Sequence, residues 1–327
     1  MAAVIETCVR DLKLGAGETF ENMTLFPILP TAVSGLKYSL LAEALSEGAV
    51  EVREKSTASV PELWLINHSE TMVLVMGGEG VVGGKQNRMV NASFLIPARG
   101  ELALPVTCVE HGRWHRVSDR FRAGEAVYAS LRHQTNRQVT QGLRTSGRHS
   151  ADQGAVWQSI EDRSAMLGAA SPTAAMHDIY QQKQATLADY ERAFPVVTEA
   201  VGMMVALGGR LMGADVFDQP PTAGKLWEKL VRSYALDALD IPKGESVTDK
   251  QAGALLSALA GGQAERYPSL GLGYDLRLAG TGVEGSALVF EETVVHLVAY
   301  PTDESQPTQA AHQVVTRIAR ASDRQRR

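Results

Sequence analysis

The stretch GGEGVVGGKQNRMVN, residues 77–91, concentrates polar side chains between two apolar runs. Its polar half includes Lys85, Gln86 and Arg88. On a strand, Gln86 and Arg88 share one face, and a guanidinium beside an amide is suited to gripping a phosphate or a carboxylate. Glu79 would supply an acceptor or a general base nearby. The alternative is a solvated sheet edge with an ordinary Glu–Lys or Glu–Arg ion pair, and composition alone does not decide between the two.

The glycines of this stretch do not match a familiar nucleotide-binding loop. A Walker A loop needs Ser or Thr after its Gly-Lys pair and then a helix, but here Gln86 follows the pair. A dinucleotide-binding fingerprint also needs a helix, whereas the next segment, NRMVNASFLI, is typical of a strand. We therefore expect Gly77 and Gly78 to form a hairpin turn, and Gly83 and Gly84 to form a bulge or a close backbone approach.

A second polar cluster lies in the segment PVTCVEHGRWH. Cys108 is either a nucleophile whose pKa a neighbouring cation lowers, or a small buried hydrophobic residue. Glu110 and Arg113 are candidates for a fixed ion pair that positions a loop, or for parts of a site. Cys108, His111 and His115 lack the paired spacing of metal ligands, and the chain has no HExxH or CxxC motif, so we predict no metal site.

The residues after this cluster are rich in arginine. From His111 to His149 the chain has eight arginines, two acidic residues and no lysine, although its formal net charge is −5. Arginine is favoured where planar anions are gripped. The segment therefore predicts an anionic ligand, a short nucleic-acid contact, or a solvated helix face that pairs with acidic residues elsewhere.

The polar stretches are embedded in a chain whose patterns change from strands to helices and back. The N-terminal third contains mostly short apolar runs rich in β-formers, with one helix in YSLLAEALSEG that Gly48 ends. From Ala123 to about Glu191 the apolar spacing is helical, and Pro195 ends the last helix. After it, VGMMVALGGRLMGADVF predicts strands, KLWEKLVRSYALDAL and a Ser- or Thr-capped segment before Gly261 predict helices, and two closing strands follow.

This order of elements predicts an α+β fold in which a helical insertion separates antiparallel β-rich units. One hypothesis is that the two β-units are related, because residues 73–87 align without gaps on residues 203–217 and two glycines of each segment coincide. We expect one integrated unit over residues 1–327. Its parts are a first β-rich part at 10–118, a helical insert at 119–197, a second β/α part at 198–310 and a flexible basic tail at 311–327.

The composition excludes several classes of protein. Hydrophobic residues make up 44% of the chain and charged residues 21%, as in ordinary globular proteins. The net negative charge argues against a general nucleic-acid coat protein. The two cysteines fit a reducing compartment, and no apolar run approaches the roughly 20 residues of a membrane span. With no secretory signal pattern at its start, the chain is expected to be cytoplasmic and without a membrane partner.

Several segments resemble those of one bacterial family. GGEGVVGGKQNRMVNASFLIPA, PVTCVEHGRW, DQGAVW and GADVFD are similar to segments of the ARG and Rhodanese-Phosphatase superfamily-associated protein domain. The resemblance extends from about Leu14 to Tyr300. The family's gene neighbourhoods near ADP-ribosylglycohydrolases imply a link to ADP-ribose or NAD-derived nucleotides, in stress response or phage defence. Gly80 stands where the resemblance leads us to expect a second consecutive acid, so a base or metal ligand at that position would be lost.

The resemblance also implies site residues. The matching polar positions are Glu79, Lys85, Gln86, Asn87, Arg88, Glu110, Arg113, Trp114, Gln153, Trp157 and Asp215. We expect a pocket between the first β-rich part and the helical insert that binds, or processes by hydrolysis, an anionic nucleotide-like ligand such as an ADP-ribose derivative. Glu79 or Glu110 would be the catalytic general base. Lys85, Arg88 and Arg113 would hold phosphate, and Trp114 would stack on a base or ribose.

The competing hypothesis is a non-enzymatic interaction module. Its polar clusters would be structural ion pairs, and its arginine-rich segment would contact a protein partner or a second copy of the chain. The two hypotheses differ in geometry, because an enzyme needs Glu79, Arg88, Glu110 and Arg113 to converge in one cleft. The sequence specifies no cofactor.

Overall fold

A computed structural model describes residues 2–55 and 61–302 of the protein. The predicted basic tail at 311–327 lies outside the described residues, as does the second part beyond residue 302. Within the described ranges, no helix has both the length and the apolar composition that crossing a membrane requires.

The described chain contains strands at both ends and a block of helices between them. The helices are α1 (Ala2–Arg10), α2 (Leu41–Ser46), α3 (Ala129–Ser146), α4 (Gln153–Met166), α5 (Met176–Gln182), α6 (Gln184–Ala193), α7 (Pro220–Ala238) and α8 (Asp249–Ala260). The strands are β1 (Leu12–Leu14), β2 (Glu18–Phe20), β3 (Met23–Pro30), β4 (Tyr38–Leu40), β5 (Val50–Glu54), β6 (Glu62–Asn67), β7 (Met72–Val75), β8 (Glu79–Val82), β9 (Arg88–Val90), β10 (Phe94–Ile96), β11 (Glu101–Cys108), β12 (Arg122–Ala126), β13 (Gly202–Leu207), β14 (Arg210–Phe217), β15 (Gln263–Pro268), β16 (Tyr274–Gly280), β17 (Val283–Phe290) and β18 (Thr293–Pro301). The predicted α+β class is confirmed.

The largest sheet joins the two ends of the described chain. Its strands pair antiparallel in the order β1-β3-β13-β14-β18-β17-β16-β15, and β2 also pairs with β3. Along β13, Met203 and Val205 belong to the hydrophobic cluster that contains α7, whereas Met204 and Ala206 belong to the cluster that contains α1 and α8. Because neighbouring strand residues point to opposite faces, helices must cover both faces of this sheet.

Two smaller sheets form the first β-rich part. One has the order β12-β8-β9-β11-β6-β5, and the other has the order β10-β7-β4, with β4 parallel to β7. Apolar side chains from both sheets and from α2 form a shared cluster, which includes Leu41, Val81 and Phe94. The predicted α2 terminator is confirmed, since Gly48 has the left-handed backbone (φ 69°) that a glycine adopts after a helix.

The helical patterns of the sequence are mostly confirmed. A capping box formed by Thr248 and Gln251 begins α8, as its Ser- or Thr-capped pattern predicts. The predicted apolar faces of α5 and α6 are buried, but the predicted single helix breaks at Lys183 into these two. The helical prediction from Ala123 is wrong for its first residues, because Arg122–Ala126 forms β12 and pairs with β8.

The glycine-rich segment corrects two expectations. Gly77 and Gly78 form a tight turn, but not a hairpin turn, since β7 pairs with β10 while β8 pairs with β9 and β12. The aligned segment at 203–217 does form a hairpin, of β13 with β14. Both segments place glycines with positive φ at the aligned positions, yet their strands pair differently, so their relation remains a hypothesis.

Candidate functional site

The loop of the β8–β9 hairpin and the segment after β11 meet through one buried ion pair. Arg113 donates from Nε to Glu110 Oε1 (2.8 Å) and from Nη2 to Glu110 Oε2 (2.6 Å). Arg113 also donates to the carbonyl oxygen of Gly84 (2.8 Å) and to Oδ1 of Asn87 (3.1 Å). We call Glu110, Arg113 and the hairpin loop 83–87 the clamp, because the ion pair fixes the backbone of the loop.

The carboxylate of Glu110 is fully engaged within the clamp. Besides its two bonds from Arg113, it accepts the backbone N–H of Asn87 (3.1 Å) and the hydroxyl of Thr173 (2.9 Å). Burial alone would raise the pKa of Glu110, but these hydrogen bonds outweigh it and lower the pKa below its ordinary value. Glu110 is therefore an ionised anchor for the loop, and four donors occupy the oxygens that a general base would need.

The loop itself is built for close packing. Gly83 (φ 144°) and Gly84 (φ 53°) have backbones that L side chains rarely adopt, and a Cβ on Gly84 would lie 2.5 Å from the Phe121 ring. The predicted close backbone approach at these glycines is thus confirmed. Oδ1 of Asn87 accepts the backbone N–H of Gly83 (3.2 Å), and Glu54 Oε1 accepts that of residue 85 (2.8 Å). These bonds hold the loop in a single shape.

Arg88 lies next to the clamp and has a buried guanidinium with few partners. It is 4% exposed. Its Nη1 donates to Oε1 of Gln86 (3.3 Å) and to the carbonyl oxygen of Asn87 (3.5 Å), while its buried Nε has no hydrogen-bond partner. Within residues 2–55 and 61–302, no carboxylate lies within ion-pair distance of Arg88. Burial lowers the pKa of Arg88, but the guanidinium keeps its charge because arginine is too basic to lose its proton in a protein.

Gln86 connects this guanidinium to the segment after β11, which carries aromatic side chains. Gln86 is buried and also donates from Nε2 to the carbonyl oxygen of His111 (3.4 Å). The His111 ring stacks on Trp157 with 4.1 Å between the ring centroids. Lys85 and Trp114 are exposed, and Trp114 presents 57% of its surface to solvent. The segments that carry the clamp therefore also carry exposed cationic and aromatic side chains.

Cys108 and Gln153 have structural contacts at the end of β11. Cys108 is opposite Arg88 in the β11–β9 pair and is completely buried. The side-chain amide of Gln153 accepts the backbone N–H of Cys108 (2.8 Å) and donates to its carbonyl oxygen (2.8 Å), so it completes the edge of the strand. Burial raises the pKa of Cys108, although Arg88 acts in the opposite direction. This favours the interpretation of Cys108 as a small buried hydrophobic residue.

Two predicted site residues lie away from the clamp. Glu79 pairs with Lys229 of α7 (2.6 Å) and has no hydrogen bond or ion pair to Arg88 or the clamp among the described residues. Asp215 lies in β14, where Arg132 binds both of its carboxylate oxygens. An enzyme was expected to need four charged residues in one cleft. Arg88, Glu110 and Arg113 lie close together, and Glu79 lies apart from them.

The arginine-rich segment is largely paired with acidic side chains from other elements. Of its eight arginines, six form ion pairs in the described part of the chain, with partners that lie on β5, β14, β15, β17 and the clamp. Pairing with distant acidic groups, one of the expected alternatives, therefore explains most of this positive charge. The pairs also tie α3 to the largest sheet.

Sequence patterns missed the partners that complete these clusters. Glu54, Thr173 and Lys229 have no motif around them, and each lies more than thirty residues from the group it contacts. The one sequence signal for Glu54 is that it is an acidic residue at the end of a predicted strand. No set of three or more His, Cys, Asp and Glu side chains suited to a metal ion occurs within the described ranges.

Comparison with known proteins supplies a family. The model of the ARG and Rhodanese-Phosphatase-superfamily-associated Protein domain matches residues 11–300, which include the clamp, Arg88 and the largest sheet. The resemblance seen in the sequence is thereby confirmed. No curated protein and no solved structure matches the chain.

Proposed function

Because the chain belongs to the ARG and Rhodanese-Phosphatase-superfamily-associated Protein family, we propose that it binds an anionic, nucleotide-like ligand, such as an ADP-ribose derivative, at the clamp and Arg88. The association with ADP-ribosylglycohydrolases that the resemblance implies supports this class of ligand. A bacterial stress or phage-defence setting is part of the same proposal. The proposal concerns binding, and it assigns no catalytic role to the clamp.

The buried guanidinium of Arg88 is the observation that carries the proposal. A buried charge is costly unless an opposite charge or strong hydrogen bonds compensate it. The hydrogen bonds of Arg88, at 3.3 and 3.5 Å, are long, and its Nε makes none. A phosphate or carboxylate could accept two parallel bonds from Nε and Nη at shorter distances. An anionic ligand would therefore supply the compensation that the described protein groups do not.

A ligand would have to displace the Gln86 side chain to reach this guanidinium. Its side chain caps Arg88 with a 3.3 Å bond and is otherwise held by a 3.4 Å bond to the backbone of His111. Both bonds are at the weak end of the range, so exchanging them for bonds to a ligand would cost little hydrogen-bond energy. Because Gln86 is fully buried, reaching Arg88 would also require movement of the neighbouring backbone. A ligand phosphate would then replace the Gln86 oxygen. Lys85 would attract the anion from solvent, and the exposed ring of Trp114 would stack on a base.

The clamp residues serve as support in this proposal. Arg113 was expected to hold phosphate and Glu110 to act as a base, but each already binds the other and the hairpin loop. Their contribution is to keep Arg88 and Gln86 in place, as a binding site needs rigid neighbours. Glu79, paired with Lys229, contributes nothing to this ligand site.

A protein partner is the second candidate, and one observation favours it. Trp114 and Val117 are both more than half exposed and lie on the same irregular segment after the clamp. Exposed aromatic residues are frequent among the energetic centres of protein interfaces. In that case Trp114 would bind a protein surface, and Arg88 would remain a structural residue.

Titration calorimetry separates these candidates. We expect ADP-ribose to bind the wild type, and Arg88→Lys to weaken the binding at least about tenfold, because lysine keeps the charge but loses the planar fork. Arg99→Ala is the matched control, since Arg99 is exposed and, among the described residues, forms its ion pair with the exposed Glu70. Thermal unfolding of each variant shows whether it remains folded. Absence of heat from the wild type, or equal affinity of Arg88→Lys, contradicts the proposal.

A further inference from the structure

A second polar cluster lies where the first β-rich part meets the largest sheet, separate from the clamp. Ser93 lies between β9 and β10, His296 lies in β18, and Asp215 lies in β14. The three residues are far apart in sequence, and no motif joins them. The β14–β18 register places Phe217 opposite His296, so the Asp215 and His296 side chains extend from the same face.

The three side chains form a chain of polar contacts. Ser93 Oγ lies 2.7 Å from His296 Nδ1, and His296 Nε2 lies 3.6 Å from Asp215 Oδ1. The imidazole stacks flat on Phe217, with 4.5 Å between the centroids and 4° between the ring planes. The ring is therefore held with one nitrogen facing the hydroxyl and the other facing the carboxylate.

The backbone of Gly77 is hydrogen-bonded to the Ser93 hydroxyl. Its N–H donates to Ser93 Oγ (2.9 Å), which leaves the hydroxyl proton free to point to His296 Nδ1. With Nδ1 accepting, the neutral imidazole carries its own proton on Nε2, toward Asp215. A hydroxyl that donates to an imidazole, whose other nitrogen faces a carboxylate, is the arrangement that activates a serine nucleophile.

The carboxylate of this chain is immobile. Arg132 donates to both oxygens of Asp215, and the Tyr234 hydroxyl donates to Oδ2 (2.8 Å). Asp215 is completely buried, and despite the burial Arg132 lowers its pKa, so it stays ionised. It can stabilise an imidazolium that forms when His296 accepts a proton.

We propose that Ser93 is a nucleophile for acyl transfer, with His296 as its general base and Asp215 as a positioning residue. One nitrogen supports this over a purely structural network. His296 is 3% exposed, and its Nε2 makes no hydrogen bond within the described residues. Leaving a buried donor unsatisfied is costly, so this nitrogen calls for an explanation. Movement of Nε2 toward Asp215 as the ring becomes charged would satisfy it.

The surroundings limit the substrate to a small ester. Ser93 is partly exposed, and beside it is a cavity of about 30 Å³ that Arg132, His296 and Tyr300 help to line. One water molecule needs roughly 10–15 Å³ of such space, so the cavity has room for a small acyl group such as acetyl. The alcohol part of the ester would remain on the solvent side of Ser93.

The reaction needs only the ester and water. Ser93 Oγ bonds to the carbonyl carbon as its proton passes to His296 Nδ1. The bond between the carbonyl carbon and the alcohol oxygen then breaks, and the alcohol leaves with the proton from His296. Water, deprotonated by His296, attacks the acyl-serine, and the carboxylic acid is released with Ser93 restored.

Acetylation by p-nitrophenyl acetate tests the proposal. In the wild type we expect release of p-nitrophenolate and an acetyl group on Ser93, located by mass spectrometry after acid quenching. The Ser93→Ala variant should carry no acetyl group there, and His296→Gln should react at least tenfold more slowly. Ser257→Ala is the control, because this serine is exposed on α8, does not line the cavity and should leave the rate unchanged.

The pH dependence tests the two supporting residues. The wild-type rate should fall, with an inflection, as the pH is lowered, because a protonated imidazole cannot accept the serine proton. Asp215→Asn should move this inflection to lower pH, which a loss of stability alone would not do. An unmodified Ser93 in the folded wild type overturns the proposal, whichever variants fold. So does a rate that does not fall at low pH, or an undiminished rate in folded His296→Gln.

Discussion

At the residue scale, the ion pair between Glu110 and Arg113 joins the two polar segments of the sequence, because it holds the loop 83–87 against the segment after β11. Each side chain is buried, and each supplies the main compensation for the charge of the other. Replacing a buried ion pair with apolar residues can be neutral, but removing one partner leaves a buried charge without compensation. The clamp therefore depends on both residues.

The first prediction concerns this dependence and its pH range. Glu110→Gln should lower the free energy of unfolding by about 3–5 kcal/mol at pH 7. The pKa of Glu110 is lowered in the folded state, so its contribution is present above the unfolded pKa of about 4.3 and is lost as the pH falls through the folded pKa. The difference between wild type and variant should thus shrink below about pH 4.

Urea unfolding at several pH values measures this difference. Glu70→Gln is the control, since Glu70 is 77% exposed and its ion pair with Arg99 should contribute little. A loss for Glu110→Gln as small as that of the control would mean that the clamp does not hold the loop.

The sequence allowed the local half of the site to be predicted. An ion pair between Glu110 and Arg113, which are three positions apart in the chain, was one expected alternative. The partners of Glu79 and Asp215 could not be predicted, since Lys229 and Arg132 reach them only after the sheets and helices pack together. The Ser93–His296 contact was missed for the same reason, as it joins residues 203 positions apart.

At the element scale, the β8–β9 hairpin loop needs glycine where it passes under Phe121. The backbone of Gly84 is left-handed, and an added Cβ would lie 2.5 Å from that ring and 2.9 Å from Glu54 Oε1. The loop has no room for a side chain at this position, and it positions the residues beside Arg88.

The second prediction uses this crowding. Gly84→Ala should destabilise the protein by about 1–3 kcal/mol, because the ring must move and the backbone is strained. Gly253→Ala is the matched control within α8, where an added Cβ meets nothing within 4 Å. There alanine should stabilise by about 0.5–1 kcal/mol through its helix propensity. Thermal unfolding of both variants gives the two signs, and equal signs would contradict this account.

Elements with strong periodicity were predictable, and elements defined by pairing were not. The segment KLWEKLVRSYALDAL indicated α7, and a Ser or Thr cap indicated the start of α8. The short strand β12, with the sequence RAGEA, has no strand pattern and exists because β8 offers it a partner. Similarly, Gly77 and Gly78 have the composition of a hairpin turn, but the competition among strands sends β7 and β8 to different sheets.

At the scale of the whole molecule, buried ion pairs connect the first β-rich part, the helices and the largest sheet. Arg132 of α3 binds Asp215 of β14, and Lys229 of α7 binds Glu79 of β8. An additional backbone bridge joins Leu95 of the first part to residue 272. These connections make separate unfolding of one part costly.

The third prediction is that the chain unfolds as one unit, which would support the expected single domain. Trp64 lies in β6 of the first part, and Trp227 lies in α7 against the largest sheet. Two variants, each retaining only one of these two tryptophans as a probe, should show fluorescence transitions at the same urea concentration as circular dichroism does. Transitions at clearly different concentrations would show two independently stable parts.

Hydrogen–deuterium exchange with and without saturating ADP-ribose tests the central claim most directly, because it locates the ligand as well as detecting it. When the ligand is present, we predict slower exchange in the peptides that contain residues 83–88 and 110–116. Exchange should be unchanged in α8, which covers the face of the largest sheet opposite to α7. Slower exchange only in other regions, or no change anywhere at ligand concentrations up to the millimolar range that weak sites require, would contradict the assignment of an anionic ligand to the clamp and Arg88.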